Sequence, residues 1–324
     1  MTNVAVDLDR GFEQHRTELT GFCYRMLGSA FEAEDAVQET LLRAWRAFDR
    51  FDGRSSLRTW LCRIATNVCF DMLKGRQRRA LPMDMSPAVT TAEAAAASPL
   101  PHATWVEPMA DARVMTAAAD PAEVVEARES VRLAFVAALQ HLPPRQRAVL
   151  ILREVLRWRT TEIAQLLETT EASVNSALQR ARASLEVKEI NPAYASEPLD
   201  PSQRELLDRY VDAFERYDID AFVSLLHDDA LQSMPPYPMW LQGPAEMARW
   251  MTGPGAECRG SRLVPFQANG RQAFAQYRPS GPGGRHEPWN IHVVEIASGK
   301  VAAITYFLDT RLYPLFGLPR HPDG

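Results

Sequence analysis

Residues 160–185, TTEIAQLLETTEASVNSALQRARASL, have the dimensions of two helices joined by a three-residue turn. Helical spacing predicts that the helices pack through these apolar side chains: Ile163, Ala164, Leu167, Val174, Leu178 and Ala181. Glu168 holds the turn position where glycine is common, and a left-handed glutamate costs on the order of 1 kcal/mol. The stretch predicts a helix-turn-helix, and an ordinary helical hairpin is the alternative that this pattern leaves open.

The second of these helices presents a polar face that suits DNA. Its hydroxyl, amide and guanidinium groups can bind base edges and phosphates. The predicted DNA-binding residues are Ser173, Asn175, Ser176, Gln179, Arg180 and Arg182. Helix geometry assigns the two arginines to phosphates and the other four side chains to base edges.

The charge changes sign along the chain, whose net charge is −5. Residues 1–80 carry 13 basic residues against 11 acidic ones, and residues 131–190 carry 9 against 6. Residues 81–130 carry 2 basic residues against 8 acidic ones, and residues 191–324 carry 12 against 16. The two weakly basic blocks suit a polyanion, although solvated faces explain the same charges, so the motifs must decide.

Length and composition exclude several classes of protein. With 324 residues, of which 46% are apolar, the chain can form two or three domains with real cores. No stretch approaches the roughly 18–20 apolar residues of a membrane span, and the first residues do not resemble a signal peptide. Four cysteines lack the spacing of a zinc site or a disulfide scaffold: Cys23, Cys62, Cys69 and Cys258. We expect a cytoplasmic protein with no metal and no cofactor.

Two helical blocks and a linker precede the last part of the chain. Apolar residues recur at helical spacing between residues 10 and 79, where one predicted stripe contains Val37, Leu41, Ala44, Trp45 and Phe48. Ser55 or Ser56 is the predicted N-cap of the helix that follows. Residues 81–122 are rich in alanine and proline and have no period, which is typical of a linker. The single tryptophan of this linker, Trp105, is expected to dock onto a neighbouring domain.

The last part of the chain changes from helical spacing to period two. Strands are predicted over residues 263–268, 272–278, 289–296 and 301–308. Asn269-Gly270 and Ser298-Gly299 predict hairpin turns between them. The predicted fold is two all-α domains followed by an antiparallel α+β domain. The predicted segments are residues 1–80, 81–125 (linker), 126–190, 191–199 (linker) and 200–324.

Four strings in a fixed order carry a resemblance to a known family. They are AEDAVQE at 33–39, RTWLCRIATN at 58–67, LPPRQRAVL at 142–150 and QRAR at 179–182. The first two resemble the −10-binding domain, and the last two the −35-binding domain, of the extracytoplasmic-function (ECF) sigma factors of RNA polymerase. The C-terminal block resembles a SnoaL-like (nuclear-transport-factor-like) domain, a cone with a central cavity that extends one subset of this family.

The resemblance implies two partners, the RNA polymerase core and promoter DNA. The clamp of the largest polymerase subunit would bind Asp35, Gln38, Glu39 and Arg43, and the flap of the second subunit is a further implied contact. The implied −10 DNA-binding residues are Phe51, Arg54, Ser55, Arg58, Arg63, Asn67, Lys74 and Arg76. The loop that begins at Phe51 would accept a base flipped from the melted strand, whereas Trp60 is interpreted as a core anchor. The −35 element would bind the second helix of the helix-turn-helix.

The resemblance also implies that this chain binds and does not catalyse. In relatives with the extension, the linker carries a tryptophan motif that TWVEP at 104–108 resembles, so Trp105 and Glu107 are predicted regulatory contacts between domains. The predicted cavity residues are Trp240, Tyr277, Trp289, His292 and Tyr306. Two carboxylates, Asp228 and Asp229, are the other candidates for acid–base chemistry.

Two alternatives remain open at this point. A helix-turn-helix regulator that works without polymerase would explain residues 160–185 but not the strings at 33–67. An enzyme whose C-terminal cavity acts on a small molecule is the second alternative, and loss of turnover on His292→Ala or Asp229→Ala would favour it. A small ligand and a separate anti-sigma protein are the further partners considered.

Overall fold

The computed structural model describes residues 11–115, 121–186 and 200–322. Its α-helices are α1 Arg16–Leu27, α2 Ala30–Ala47, α3 Leu57–Leu73, α4 Thr91–Ala95, α5 Asp111–Val114, α6 Pro121–Glu129, α7 Leu133–Gln140, α8 Pro144–Leu150, α9 Thr160–Leu166, α10 Glu171–Glu186, α11 Pro201–Arg216, α12 Ile219–Ser224, α13 Pro244–Thr252 and α14 Leu312–Leu315. Its β-strands are β1 Leu226–Ser233, β2 Trp240–Gln242, β3 Arg262–Ala268, β4 Arg271–Arg278, β5 Glu287–Ala297 and β6 Lys300–Phe307. Within these described ranges, no helix has both the length and the apolar character that a bilayer crossing requires.

The chain divides into two compact units. The described parts of 1–79 and 111–190 form the first unit, and those of 80–110 and 191–324 form the second. The segment predicted as a linker, residues 81–125, is therefore shared between the units. Its first thirty residues fold with the C-terminal domain, and its described residues from 111 onward, which are 111–115 and 121–125, belong to the first unit.

Helices α1, α2 and α3 form one half of the first unit. Ser56 caps α3 by accepting a hydrogen bond from the Thr59 backbone N–H at 3.1 Å, which selects Ser56 from the two predicted caps. On α2, Val37 and Ala44 are buried as the predicted stripe requires. Trp45 was predicted in that stripe and is instead 61% exposed. It follows Ala44 by about 100° around the helix, which places its ring on the solvent side.

Helices α9 and α10 form the predicted helix-turn-helix. The buried contact contains Ile163, Ala164, Leu166, Val174, Leu178 and Ala181. Leu166 takes the place predicted for Leu167, which is only half-buried, because α9 ends at Leu166. Glu168 has a φ of +50°, the left-handed conformation that the sequence predicted at the turn.

Two buried arginines join the two halves of the first unit. Arg25 on α1 donates hydrogen bonds to the carbonyl oxygen and the hydroxyl of Ser130, at 3.0 and 2.7 Å. Arg147 on α8 donates to the carbonyl oxygen of Met26 and to the side chain and backbone of Gln140. Burial lowers the pKa of each guanidinium to about 10, so both stay charged at neutral pH. These hydrogen bonds replace the water that the two charged groups lose.

The second unit contains a six-stranded sheet in the order β2-β1-β6-β5-β4-β3. The four predicted strands correspond to β3 to β6, and they pair antiparallel as predicted. The prediction missed β1 and β2 and the parallel pairing of β1 with β6. In β1, the adjacent exposed residues Asp228 and Asp229 and a register shift between Leu226 and Leu231 interrupt the alternation of apolar and polar residues. Period two is therefore weak in this strand.

The helices of the second unit cover one face of this sheet. Tyr210 and Phe214 of α11 and Phe222 of α12 share a buried cluster with strand residues that include Phe274 and Ile304. Both predicted hairpin turns are present, with positive φ at Asn269-Gly270 and at Ser298-Gly299. Two consecutive left-handed residues are typical of the type I′ turn that joins adjacent antiparallel strands.

Residues 80–110 pack on the C-terminal domain through hydrogen bonds spread along the segment. The Val89 N–H donates to the Trp240 carbonyl at 3.0 Å, and the Leu100 N–H donates to the Pro236 carbonyl at 2.9 Å. Met109 N–H donates to the Asn269 side chain at 2.9 Å. These bonds lie far apart in sequence, so the segment behaves as part of the domain and not as a free tether.

Candidate nucleic-acid interface and C-terminal cavity

Helix α10 presents the predicted DNA-binding face to solvent. All six predicted residues on it are exposed: Ser173, Asn175, Ser176, Gln179, Arg180 and Arg182. Thr170 caps the start of the helix by accepting a hydrogen bond from the Ser173 N–H at 3.2 Å. Arg182 forms an ion pair with Glu154. Because Arg182 is exposed and Glu154 is only half-buried, that pair is weak enough to exchange for a phosphate.

The loop between α2 and α3 contains an aromatic cluster. The Phe51 ring lies 5.0 Å from the Trp60 ring, and Phe48 lies about equally close to both, at 6.0 and 6.3 Å. Trp60 therefore packs against aromatic side chains of its own domain, but it is only half-buried and does not reach the core, where the predicted anchor would lie. Arg54 is exposed and pairs with Asp52 in the same loop. An aromatic wall beside an exposed guanidinium suits an unstacked base.

Two predicted −10 residues, Arg58 and Arg63, contact other parts of the first unit. The Arg58 Nε atom lies 2.8 and 2.9 Å from the two carboxylate oxygens of Glu18, and its guanidinium lies 5.1 Å from the ring centre of Trp158. The hydrogen bond that Arg58 donates to Glu18 raises the pKa of Arg58. Arg63 donates to the Gln165 carbonyl on α9 at 3.1 Å. Both arginines of α3 thus face the helix-turn-helix half, an arrangement that the sequence did not indicate.

The other predicted −10 residues lie on the exposed side of α3 and after it. Asn67 is exposed, Lys74 pairs with Asp71 at 2.7 Å, and Arg76 pairs with Glu32. Ser55 is half-buried in the loop. Exposed pairs of this kind contribute little to stability, so these cations remain available to a polyanion.

The predicted polymerase-binding residues lie along one side of α2. Asp35 and Gln38 are exposed, and Arg43 pairs with Glu39 at 2.6 Å. The hydrogen bond that Arg43 donates to Glu39 is the main cause of the raised pKa of Arg43. Leu42 is 50% exposed on this helix, as Trp45 is further along. A polar helix face with two large exposed apolar side chains has the composition of a protein-binding surface.

The cavity of the second unit has a volume of about 260 Å³. Of the predicted cavity residues, Trp289 and Tyr306 line it, and Trp240, Tyr277 and His292 do not. Tyr277 instead donates a hydrogen bond to the Pro319 carbonyl at 2.6 Å, since alternation along β4 directs Gln276 and Arg278 into the cavity. Trp240 donates through its indole nitrogen to the Ser86 carbonyl at 2.8 Å.

His292 is completely buried in the core beside this cavity. Its Nδ1 accepts a hydrogen bond from the Tyr210 hydroxyl at 2.8 Å, and its Nε2 donates to the Gln276 side chain at 2.9 Å. Burial lowers the pKa of His292 to about 3, so the ring is neutral at pH 7. The two candidate carboxylates, Asp228 and Asp229, are exposed on β1 and do not line the cavity. Of the predicted acid–base candidates, His292 and Tyr306 lie together, with ring centres 4.6 Å apart, whereas neither carboxylate joins them.

Trp105 and Glu107 are both buried. The backbone beside Trp105 pairs with Ala80, whose N–H donates to the Thr104 carbonyl at 2.9 Å. Glu107 adds to the effect of Asp309 in raising the pKa of Arg311. Among the residues that the structure describes, no group of three or more histidine, cysteine or acidic side chains could hold a metal ion.

Comparison with known proteins matches three segments of the chain to family models. Residues 12–79 match sigma-70 region 2, residues 132–185 match sigma-70 region 4, and residues 207–304 match the SnoaL-like domain. These segments coincide with the α1–α3 half, the helix-turn-helix half and most of the sheet domain.

Two proteins of Mycobacterium tuberculosis (strain ATCC 25618 / H37Rv) are similar to this chain. The ECF RNA polymerase sigma factor SigG is 46% identical over 323 residues, which cover 97% of this chain and 84% of that protein. The ECF RNA polymerase sigma factor SigJ is 30% identical over 219 residues, 67% of this chain and 62% of that protein. The crystal structure of SigJ has the same fold, with a TM-score of 0.59 at 24% identity over 96% of this chain and 99% of that one. The chain belongs to the extracytoplasmic-function sigma factors of RNA polymerase, and it carries a SnoaL-like domain after region 4.

Proposed function

We propose that this sigma factor recognises promoters through separate residues for polymerase, for the −10 element and for the −35 element. Region 4 uses the exposed face of α10 in the major groove, with Arg180 and Arg182 on phosphates. Region 2 uses the loop from Phe51 and the cations of α3 on the melted strand. The observation that carries this proposal is the complete exposure of the predicted polar face of α10 above a buried apolar face.

The polymerase contact is assigned to the α2 face around Gln38 and to the clamp of the largest subunit. Leu42 and Trp45 extend this surface, because a large exposed tryptophan is the kind of side chain that dominates binding at interfaces. Region 4 is assigned to the flap of the second subunit. Trp45→Ala is expected to weaken core binding about 10-fold or more, whereas Arg46→Ala on the neighbouring exposed position has little effect.

The contacts of Arg58 and Arg63 support a closed state of the DNA-binding unit. The −10 strand would need both arginine side chains, but each already has a partner within the unit. Arg58 contacts Glu18 and Trp158, and Arg63 donates to the Gln165 carbonyl. Binding to promoter DNA therefore requires these contacts to open, and their free energy is subtracted from that of DNA binding.

The C-terminal domain is assigned a regulatory role that acts through the segment 80–110. This segment connects region 2 to region 4, and the domain holds it through Val89, Thr91 and Leu100. Thirty residues of released chain could extend to about 100 Å, whereas the docked segment has a fixed span. Docking therefore controls how far the two DNA-binding halves can separate.

Transcription with purified polymerase core tests this regulatory role. Glu246 accepts hydrogen bonds from the N–H and the hydroxyl of Thr91, at 2.9 and 2.8 Å, so Glu246→Ala weakens docking. We expect promoter-specific transcript to change at least 2-fold, while Glu205→Ala on the exposed side of α11 leaves it unchanged. Equal transcript from both variants and the parent would contradict control through the segment.

A further inference from the structure

The cavity of the SnoaL-like domain contains two glutamines whose hydrogen bonding differs. Both Gln276 and Gln232 line it and are buried. The amide of Gln276 is satisfied, since its nitrogen donates to Ser261 Oγ at 2.8 Å and its oxygen accepts from His292. Among the described residues, neither the oxygen nor the nitrogen of the Gln232 amide has a hydrogen-bond partner, although the side chain is 1% exposed. An unpaired buried amide costs about 1–3 kcal/mol, so this position favours a bound partner.

A second amide adds to this site. Asn290 lines the same cavity, is 4% exposed, and its Oδ1 has no hydrogen-bond partner among the described residues. The Gln232 amide and the Asn290 Oδ1 atom together offer two N–H donors on one nitrogen and two acceptor oxygens to a molecule in the cavity. The remaining lining is mainly apolar, with methionine and aromatic side chains that include Met234, Met239 and Trp289.

The charged groups of the lining neutralise one another. Arg278 pairs with Glu257 at 2.8 Å, and its guanidinium lies 3.9 Å from the ring centre of Trp289. A charged ligand would have to compete with this pair in a site of low polarity, which is costly. The cavity, at about 260 Å³, is at or below the lower end of drug-sized pockets. These properties fit a small, neutral and largely apolar molecule with adjacent hydrogen-bond donor and acceptor groups.

One wall of the cavity comes from the segment between regions 2 and 4 and not from the SnoaL-like domain. Ala94, Ala95 and Ala97 line it, and their short side chains leave the space open. Helix α4 is held there by its Thr90–Glu93 capping box and by the bonds from Thr91 to Glu246. A molecule in the cavity therefore contacts both the domain and the docked segment.

From this geometry we infer that the cavity is a ligand site for a neutral bicyclic-sized molecule with a lactam-like edge, and that its occupant locks residues 89–97 onto the domain. The Gln232 amide oxygen accepts a hydrogen bond from the lactam N–H, and its nitrogen donates one to the lactam carbonyl. Asn290 Oδ1 can accept a hydrogen bond from a further donor on the ligand, and Trp289 covers the ring system. Because the ligand contacts the segment only when it is docked, binding raises the docked population.

The test uses 2-quinolinone, a planar bicyclic lactam, and naphthalene, which has the same shape without the lactam edge. We expect 2-quinolinone to bind the full-length protein with a 1:1 stoichiometry in calorimetry. Gln232→Leu should raise the dissociation constant of 2-quinolinone about 10-fold and change that of naphthalene by less than 2-fold. Ala95→Leu, which adds bulk to the lining of the cavity, should weaken binding of both probes. Ala92→Leu, at an exposed position on the same helix outside the cavity, should weaken binding of neither.

Hydrogen exchange tests the locking part of the inference. The Val89 and Thr91 amides donate to Trp240 and Glu246, so saturating 2-quinolinone should slow exchange of the peptide that contains them at least 3-fold. Absence of binding at the solubility limit would mean that the cavity holds only water, and it would overturn the inference. Unchanged exchange at saturation, or equal affinity of Gln232→Leu for 2-quinolinone, would also overturn it. All readouts are made without polymerase, so they are independent of the promoter function.

Discussion

The two units of this sigma factor place their polar groups differently. The first unit exposes the side chains assigned to DNA and polymerase, as on α10 and α2, whereas the second buries Gln232, Asn290 and His292 around and beneath a cavity. Substitution of an exposed polar group changes binding more than stability, and substitution of a buried one does the reverse. The first unit therefore presents polar groups to solvent, whereas the second encloses them in its interior.

Arg25 and Arg147 are exceptions to this comparison, because both are buried charges in the first unit, and substitution of Arg147 is the strongest test. Arg147→Met removes its hydrogen bonds and leaves the Met26 and Gln140 carbonyls without their donor. We expect the first unit to lose about 3 kcal/mol or more of unfolding free energy, measured by denaturant unfolding of the full chain. Arg145→Met is the matched control, since Arg145 is exposed in the same helix. Equal stability of the two variants would contradict a structural role for Arg147.

The burial of His292 predicts a pH dependence for the second unit. Its pKa is about 3 in the folded protein, below the value of about 6.5 in an unfolded chain. Between these values the unfolded state binds a proton that the folded state does not, so stability falls as the pH is lowered through this window. We expect a loss of roughly 2 kcal/mol by pH 5 and none above about pH 7. If His292→Gln showed the same pH dependence as the parent in thermal unfolding, this origin would be excluded.

Substitutions on the exposed face of α10 should change promoter binding and leave the stability of the fold unchanged. Gln179→Ala is expected to reduce the free energy of binding to the best promoter by about 1–3 kcal/mol. It should also relax the base preference at one position of the −35 element. Arg180→Ala should weaken all promoters alike and lower the salt dependence by about one phosphate contact. Promoter binding by the holoenzyme at several salt concentrations measures both. A loss of base preference in Arg180→Ala would reverse the two assignments.

The smallest effect is expected at Glu18, which forms an ion pair with Arg58 inside the first unit. Glu18→Gln weakens this pair, and the partly exposed partners limit the change to about 0.5–1 kcal/mol. Promoter binding by the holoenzyme should therefore rise about 2–5-fold. Glu13→Gln, which breaks the exposed local pair with Arg16, serves as control. A decrease in binding for Glu18→Gln alone would contradict the closed state.

Much of the fold was predictable from local sequence. The helix-turn-helix, its left-handed Glu168, and both hairpin turns follow from spacing and turn chemistry within a few residues. The strand β1 did not, because Asp228 and Asp229 interrupt its alternation and its partner β6 lies about seventy residues further along. Sequence spacing also placed Trp45 in the core stripe, where only the packing of neighbouring helices could distinguish it from Ala44.

The exposed candidate residues could be predicted from the sequence, whereas the buried contacts and the lining of the cavity could not. An exposed helix face such as that of α10 is set by the helical period alone. The hydrogen bond between Arg25 and Ser130 joins residues that are 105 positions apart in the sequence. The cavity wall that contains Ala94 depends on the docking of a segment that has no hydrophobic periodicity. Gln232 lies on the strand that the sequence did not reveal, so its unpaired amide had no local signal.

The promoter specificity of this chain is measured by transcription from a promoter selected out of a random library, by purified polymerase core with and without the chain. We expect a defined run-off transcript only when the chain is present. The transcript should be lost when either selected promoter element is scrambled, and it should weaken steeply with added salt. Failure of the chain to bind the core at low ionic strength, or a transcript unaffected by both scrambled elements, would contradict these expectations.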